Sequence, residues 1–122
     1  MAVVSQSGTI IVALVRSLRG IGFSRLVSSG NEAVVTTSDY LRAFLDDDKT
    51  RVLAAFIEGI KDPQAFLSVA DAALQRRKPL IVIKTGRSEA GGEASAAHTG
   101  SLAGSYEVQR AAFRQRAVVL CD

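Results

Sequence analysis

The chain has 122 residues, enough for one domain with a core and too few for two. Apolar residues make up 48%, which excludes a disordered chain, and no apolar run reaches the roughly 18–20 residues that cross a bilayer. The net charge of +3 is mildly basic, but the basic residues are dispersed and the aromatics few, so a nucleic-acid surface is not indicated. A single cysteine, Cys121, excludes an internal disulfide and fits a reducing, cytoplasmic setting. The N-terminal residues Met1–Val4 lack the basic segment and cleavage site of a signal peptide.

Short apolar runs alternate with helical periodicity along the whole length. Ala2–Val4 predicts a first strand that meets Ser5-Gln6-Ser7-Gly8. Ile10, Ile11, Leu14, Val15 and Leu18 then fall on one helical face, with Gly20 and Gly22 expected to end the helix. Phe23–Ser28 predicts a second strand, and Ser38 a cap for a helix burying Leu41, Phe44 and Leu45. Arg51–Ile57 reads as a third strand. Asp62-Pro63 pairs a capping carboxylate with a proline at the first helical position, and the stripe Phe66, Leu67, Ala70, Ala73 and Leu74 follows. Leu80–Lys84 predicts a fourth strand, 105–115 a last helix and Ala117–Leu120 a fifth strand. Strands alternating with helices predict an α/β domain: a five-stranded parallel sheet, helices on both faces, in the flavodoxin-like order 2-1-3-4-5.

Right-handed crossovers place every strand's C-terminal end on one rim. The polar motifs fall there. Ser7 and Gly8 open a helix whose free N–H groups favour an anion; the same pattern also makes an ordinary N-cap turn. Glu58 ends a buried strand. It either orients an imidazole, fixing its tautomer, or is a solvated carboxylate beside a turn glycine. His98 is the only histidine and sits among small residues, Ala96-Ala97-His98-Thr99-Gly100-Ser101, where a large reactant has room to approach. Lys84 and Arg87 either meet an anionic group or solvate a loop. Gly20-Ile21-Gly22 precedes a strand and so is no dinucleotide fingerprint. Asp46-Asp47-Asp48-Lys49 lacks the spacing of a calcium loop and reads as a solvated helix end.

Taken together, Ser5-Gln6-Ser7-Gly8, Gly20–Ser24, Ser29-Gly30-Asn31-Glu32-Ala33, Glu58-Gly59-Ile60, Lys84–Gly91 and His98–Ser105 resemble one family. It is the succinyl-CoA-ligase-like flavodoxin domain of nucleoside-diphosphate-forming (ADP-forming) acyl-CoA synthetases, related to the succinyl-CoA synthetase α subunit. The resemblance implies a reversible acid–thiol ligase that works through an acyl phosphate and a phosphohistidine. His98 matches the histidine that carries the phosphoryl group, and Glu58 the glutamate that orients it. Ser5, Gln6, Ser7 and Gly8 match the phosphate-holding turn, with Thr99, Gly100 and Ser101 beside the histidine. No metal site and no tightly held cofactor is expected here. CoA, ATP or ADP, and Mg are expected on partner domains, a CoA-binding Rossmann domain and an ATP-grasp module. Residues 1–122 are therefore expected to be one domain of a longer chain, unable to complete a turnover alone. Ala97 and Arg116 depart from the family pattern, which often has serine and a small residue there. A non-catalytic ligand-sensing module of an acyl-CoA-dependent acetyltransferase is the alternative; the retained His98 and Glu58 count against it.

Overall fold

The computed structural model describes residues 1–85 and 106–121. Five strands, β1 (Ala2–Ser5), β2 (Arg25–Ser28), β3 (Leu53–Ile57), β4 (Leu80–Lys84) and β5 (Val119–Cys121), form one sheet. All neighbours pair in parallel, in the order β2-β1-β3-β4-β5. The helices are α1 (Gly8–Ser17), α2 (Thr37–Leu45), α3 (Pro63–Gln75) and α4 (Tyr106–Gln115). This is the α/β flavodoxin-like topology that the alternation predicts.

The described helices cover the two faces of the sheet unequally. The direction in which strands are added across the sheet reverses after β2, so right-handed crossovers put α1 on one face and α2, α3 and α4 on the other. The core lies on the three-helix side. Ala2, Val4, Leu53, Ala55, Ile57, Leu80 and Val82 of the strands meet Leu41, Phe44, Phe66, Val69, Ala73 and Phe113 there. Phe66 and Phe113 lock α3 to α4, their ring centroids 5.3 Å apart in a tilted pair. Among the described residues helix α1 has no such company, and none of its residues is buried. Val15, predicted to face the core, is 51% exposed. Periodicity identifies an apolar face; how deeply that face is covered depends on what else shares its side of the sheet.

Caps explain most of the boundaries. Asp62 behaves as its sequence predicts: its carboxylate accepts from the Ala65 N–H at 2.9 Å, with Pro63 opening α3. Helix α2 is capped by Thr36, not by the predicted Ser38, which lies buried in the first turn. The Asp39 carboxylate accepts from the Thr36 N–H at 2.8 Å and from its hydroxyl at 2.7 Å, closing a capping box. Those bonds hold the Asp39 carboxyl below its ordinary value. Its contribution is complete above that ordinary value and is lost as pH falls through the lowered one. Thr36→Ala is expected to cost about 1 kcal/mol in denaturant unfolding, the difference from wild type narrowing at acid pH.

Helix α1 ends at Ser17, earlier than the glycines predict. The Leu18 N–H closes on the Leu14 carbonyl, and of the two glycines only Gly20 is left-handed, at φ +89°. In α3 the buried stripe takes Val69 in place of the predicted Leu74, which is 51% exposed. The second and third strands start two residues later than predicted, at Arg25 and Leu53. The fifth starts at Val119. Ala117 turns left-handed at φ +52° and the Val118 N–H returns to the Phe113 carbonyl, closing α4 before pairing begins. Arg116, which departs from the family pattern, lies 3.0 Å from Asp71 of α3 and donates to the Ala112 carbonyl.

Candidate functional site

Register brings the polar motifs to one level. Ser5 pairs with Ser28 on one side and Phe56 on the other, and Ile57 pairs with Lys84. Gln6, Ser29, Glu58 and Thr85 are therefore the first residues beyond four neighbouring strands. The ladder runs on into them: Ser29 N–H reaches the Ser5 carbonyl at 2.8 Å, Gln6 N–H the Phe56 carbonyl at 3.1 Å and Thr85 N–H the Ile57 carbonyl at 3.0 Å. The chain leaves β1 and β3 toward opposite faces, so the β1–β3 boundary is the topological switch point. Open α/β sheets take ligands in the crevice at that place.

The turn after β1 is built by its own side chains. Ser5 is fully buried. Its hydroxyl donates to the Ser7 carbonyl at 2.7 Å and accepts from the Ser7 N–H at 3.1 Å. This folds the turn so that Ser7 becomes the N-cap of α1 in extended backbone. Ser7 makes no side-chain cap, and no acidic residue lies in the first turn. The N–H groups of Gly8, Thr9 and Ile10 therefore lack the usual intrahelical partners and face the rim with the positive end of the helix dipole. A Cβ built on Gly8 would meet only the Ser28 hydroxyl, at 3.5 Å, so the glycine leaves space there without being required by the backbone.

Gln6, half-buried, turns toward β3. Its Nε2 donates to the Gly59 carbonyl at 2.8 Å, and its Oε1 accepts from the Glu58 N–H at 2.6 Å and the Gly59 N–H at 3.1 Å. Lys84 meets the same segment from β4. It continues the buried alternation of Leu80 and Val82, and its Nζ donates to the Glu58 carbonyl and the Thr85 carbonyl, each at 2.6 Å. Burial pushes the Lys84 ammonium below the usual lysine range, while the charge of Glu58 acts in the opposite sense. Lys84 is thus a buried cation beside Glu58, not a loop-solvating one; its even spacing from Leu80 and Val82 was the signal in the sequence.

Glu32, in the loop after β2, is a polar centre that the sequence marks only as part of a motif. It is buried and left-handed, at φ +54°. Its Oε1 accepts from the Ser29 hydroxyl at 2.8 Å, from the Thr37 N–H at 3.0 Å and from the Thr37 hydroxyl. Lys61, beyond β3, donates to the Glu32 carbonyl at 3.1 Å. This network ties the loop after β2 to the start of α2 and to the loop carrying Glu58.

The structure thus gathers Ser5, Gln6, Ser7, Gly8 and Glu58 at one rim. His98, Thr99, Gly100 and Ser101, with Arg87, lie outside the described residues. The acidic run is the helix end its composition suggests. Asp46 pairs with Arg76 at 2.7 Å, and Asp47 accepts from the Lys49 N–H and the Thr50 hydroxyl.

Comparison with known proteins matches residues 1–122 to the model of the succinyl-CoA ligase like flavodoxin domain. The chain belongs to that family. The flavodoxin domain is 46% identical over 121 residues to acetate–CoA ligase (ADP-forming) I of Archaeoglobus fulgidus, covering 98% of this chain and 18% of that protein. It is 47% identical to the α subunit of acetate–CoA ligase (ADP-forming) I of Pyrococcus furiosus, covering 98% of this chain and 26% of that subunit. Among solved structures it is similar to acetyl-coenzyme A synthetase 1 of Candidatus Korarchaeum cryptofilum, described as dinucleotide forming and in complex with phosphate and ADP. That match has a TM-score of 0.85 and 41% identity, and covers 99% of this chain and 27% of that one. The domain accordingly spans about a fifth to a quarter of the length of these relatives. No described helix is long and apolar enough to cross a membrane.

Proposed function

We propose that this domain is the phosphohistidine carrier of an ADP-forming acyl-CoA synthetase, an acid–thiol ligase. The reaction is acid + CoA + ATP ⇌ acyl-CoA + ADP + phosphate. One observation carries the reading. The uncapped start of α1 and the clamped Glu58 segment share the switch-point rim, where β4, the strand that precedes His98 in sequence, also ends.

In the ligation direction an imidazole nitrogen of His98 attacks the γ-phosphorus of ATP. A P–N bond forms, the bond to the bridging oxygen breaks, and ADP leaves with the electron pair. A substrate carboxylate oxygen then takes the phosphoryl group, giving an acyl phosphate and restoring the imidazole. The CoA thiolate attacks the acyl carbon and expels phosphate. Glu58 accepts the ring's other N–H, which fixes the tautomer and leaves the attacking nitrogen free. It also offsets the positive charge that the ring gains on phosphorylation.

The phosphoryl oxygens are assigned to the N–H groups of Gly8, Thr9 and Ile10 and the Ser7 hydroxyl, in the turn that Ser5 and Gln6 shape. Thr99, Gly100 and Ser101, beside His98 in sequence, are assigned to the same phosphoryl group. Nucleotide, Mg and CoA are assigned to a CoA-binding domain and an ATP-grasp domain beyond this one, consistent with relatives several times its length. The test is incubation of the full-length protein with γ-labelled ATP. Acid-labile, base-stable label on a peptide of this domain is the expected result; label confined to other domains contradicts the reading.

A further inference from the structure

We infer that Gln6 is a positioning residue for Glu58; this inference rests on the proposed role of Glu58 at His98. Glu58 is the first residue beyond β3, and its N–H goes to the Gln6 side chain, not to a carbonyl of the β1 ladder. The Gln6 side chain replaces that ladder. A primary amide presents a donor and a two-lone-pair acceptor in one plane, and all three bonds go to the Glu58–Gly59 backbone. Lys84 holds the Glu58 carbonyl from the β4 side. The N–H and C=O of Glu58 are therefore fixed by side chains from both neighbouring strands, 52 and 26 residues away in sequence.

The placement explains the choice of residue. At the switch point β1 turns to one face and β3 to the other, so a crevice opens between Gln6 and Glu58 unless something spans it. Gln6 spans it with an uncharged group, which leaves the carboxylate its full charge. Through that clamp, the turn that opens α1 and the segment that carries Glu58 become one rigid unit. Any shift of the proposed phosphate-holding turn would move Glu58 with it. Gln6 is also a cleaner probe than Lys84, whose ammonium acts on the charge of Glu58 directly.

The experiment compares wild type, Gln6→Met, Gln6→Glu and Glu58→Gln in the full-length protein. Two readouts are followed: hydrogen exchange of the 53–60 segment, and the pH profile of the His98 phosphorylation rate. Gln6→Met is expected to raise exchange at Glu58 and Gly59 about tenfold, the effect of losing one net hydrogen bond, with Leu53–Ile57 unchanged. Glu58→Gln is expected to move the midpoint of the pH profile down by about one unit, because a carboxylate partner favours the charged ring. Gln6→Met moves the midpoint the same way by a smaller amount. Gln6→Glu keeps an acceptor for both amides but sets a carboxylate oxygen against the Gly59 carbonyl in place of the Nε2 donor, so it is expected to restore their protection only in part.

A midpoint unmoved by Glu58→Gln overturns the reading of Glu58, and with it the role given to Gln6. A midpoint moved by Glu58→Gln but not by Gln6→Met, with both amides released, overturns the positioning role alone. Should Gln6→Met fail to fold, wild-type exchange at Glu58 and Gly59 decides, and amides as unprotected as solvated loop peptides overturn the clamp.

Discussion

Replacing His98 with alanine is expected to abolish acid-labile phosphorylation of the full-length protein by ATP, and with it synthesis of acyl-CoA. The effect is all-or-none because the group is a covalent carrier. Transition-state stabilisation is graded, and its loss leaves residual rate. A carrier nucleophile has no substitute among the neighbouring side chains: Thr99 and Ser101 are alcohols, too weakly nucleophilic without an adjacent base. Retention of the fold is expected, since the described strands, helices and core all lie within residues 1–85 and 106–121. The measurement is labelled-ATP incubation followed by acid and base treatment. Label that persists in His98→Ala with the same acid lability would place the phosphoryl group on another residue.

Glu58→Gln is the second large effect. Glutamine matches the carboxylate in shape, and the Glu58 backbone stays clamped by Gln6 and Lys84, so position is retained while charge is lost. Two consequences follow for the ring. Its tautomer is no longer dictated, because an amide serves as donor or acceptor, and its phosphorylated, cationic form loses a counter-charge. General acid–base partners of this kind are worth on the order of 10²-fold or more, and a fall of that size in the phosphorylation rate is expected. The rate rises with pH as the ring loses its proton, and without the carboxylate that rise begins at lower pH. Rapid-quench measurement across pH checks both. An unchanged rate and profile would return Glu58 to the role of a solvated loop carboxylate.

Much of the fold is legible because local chemistry decides it. Asp62-Pro63 caps α3 through its own side chain, and Leu80–Lys84 is a five-residue strand bounded as predicted. The strand order follows from alternation plus crossover handedness. What escapes prediction depends on neighbours distant in sequence. Thr36 outcompetes Ser38 as a cap because Asp39, three residues on, answers it; that signal was present and local. The exposure of Val15 is not local, since among the described helices α1 lies on the opposite face from the other three.

The same division runs through the candidate site. Its rim is readable, because Gln6-Ser7-Gly8, Ser29–Glu32 and Glu58-Gly59 each follow a strand directly. Its internal wiring is not. Ser5 resembles a ligand-facing hydroxyl in sequence, yet it is fully buried and shapes the turn around Ser7. Gln6 reads as one more polar residue in a phosphate-holding turn, and only the adjacency of β1 and β3 reveals its grip on the Glu58–Gly59 backbone. Glu32 carries the loop after β2 through bonds to Ser29 and Thr37 that neither periodicity nor spacing announces.

A crystal structure of the full-length protein trapped with phosphorylated His98 tests the central claim most directly. The account predicts a phosphoryl group at the start of α1, within about 2.7–3.2 Å of the first-turn N–H groups. It also predicts the Glu58 carboxylate at hydrogen-bond distance from the ring's second nitrogen. A phosphohistidine far from the Ser7–Ile10 turn, with Glu58 turned to solvent, would contradict it.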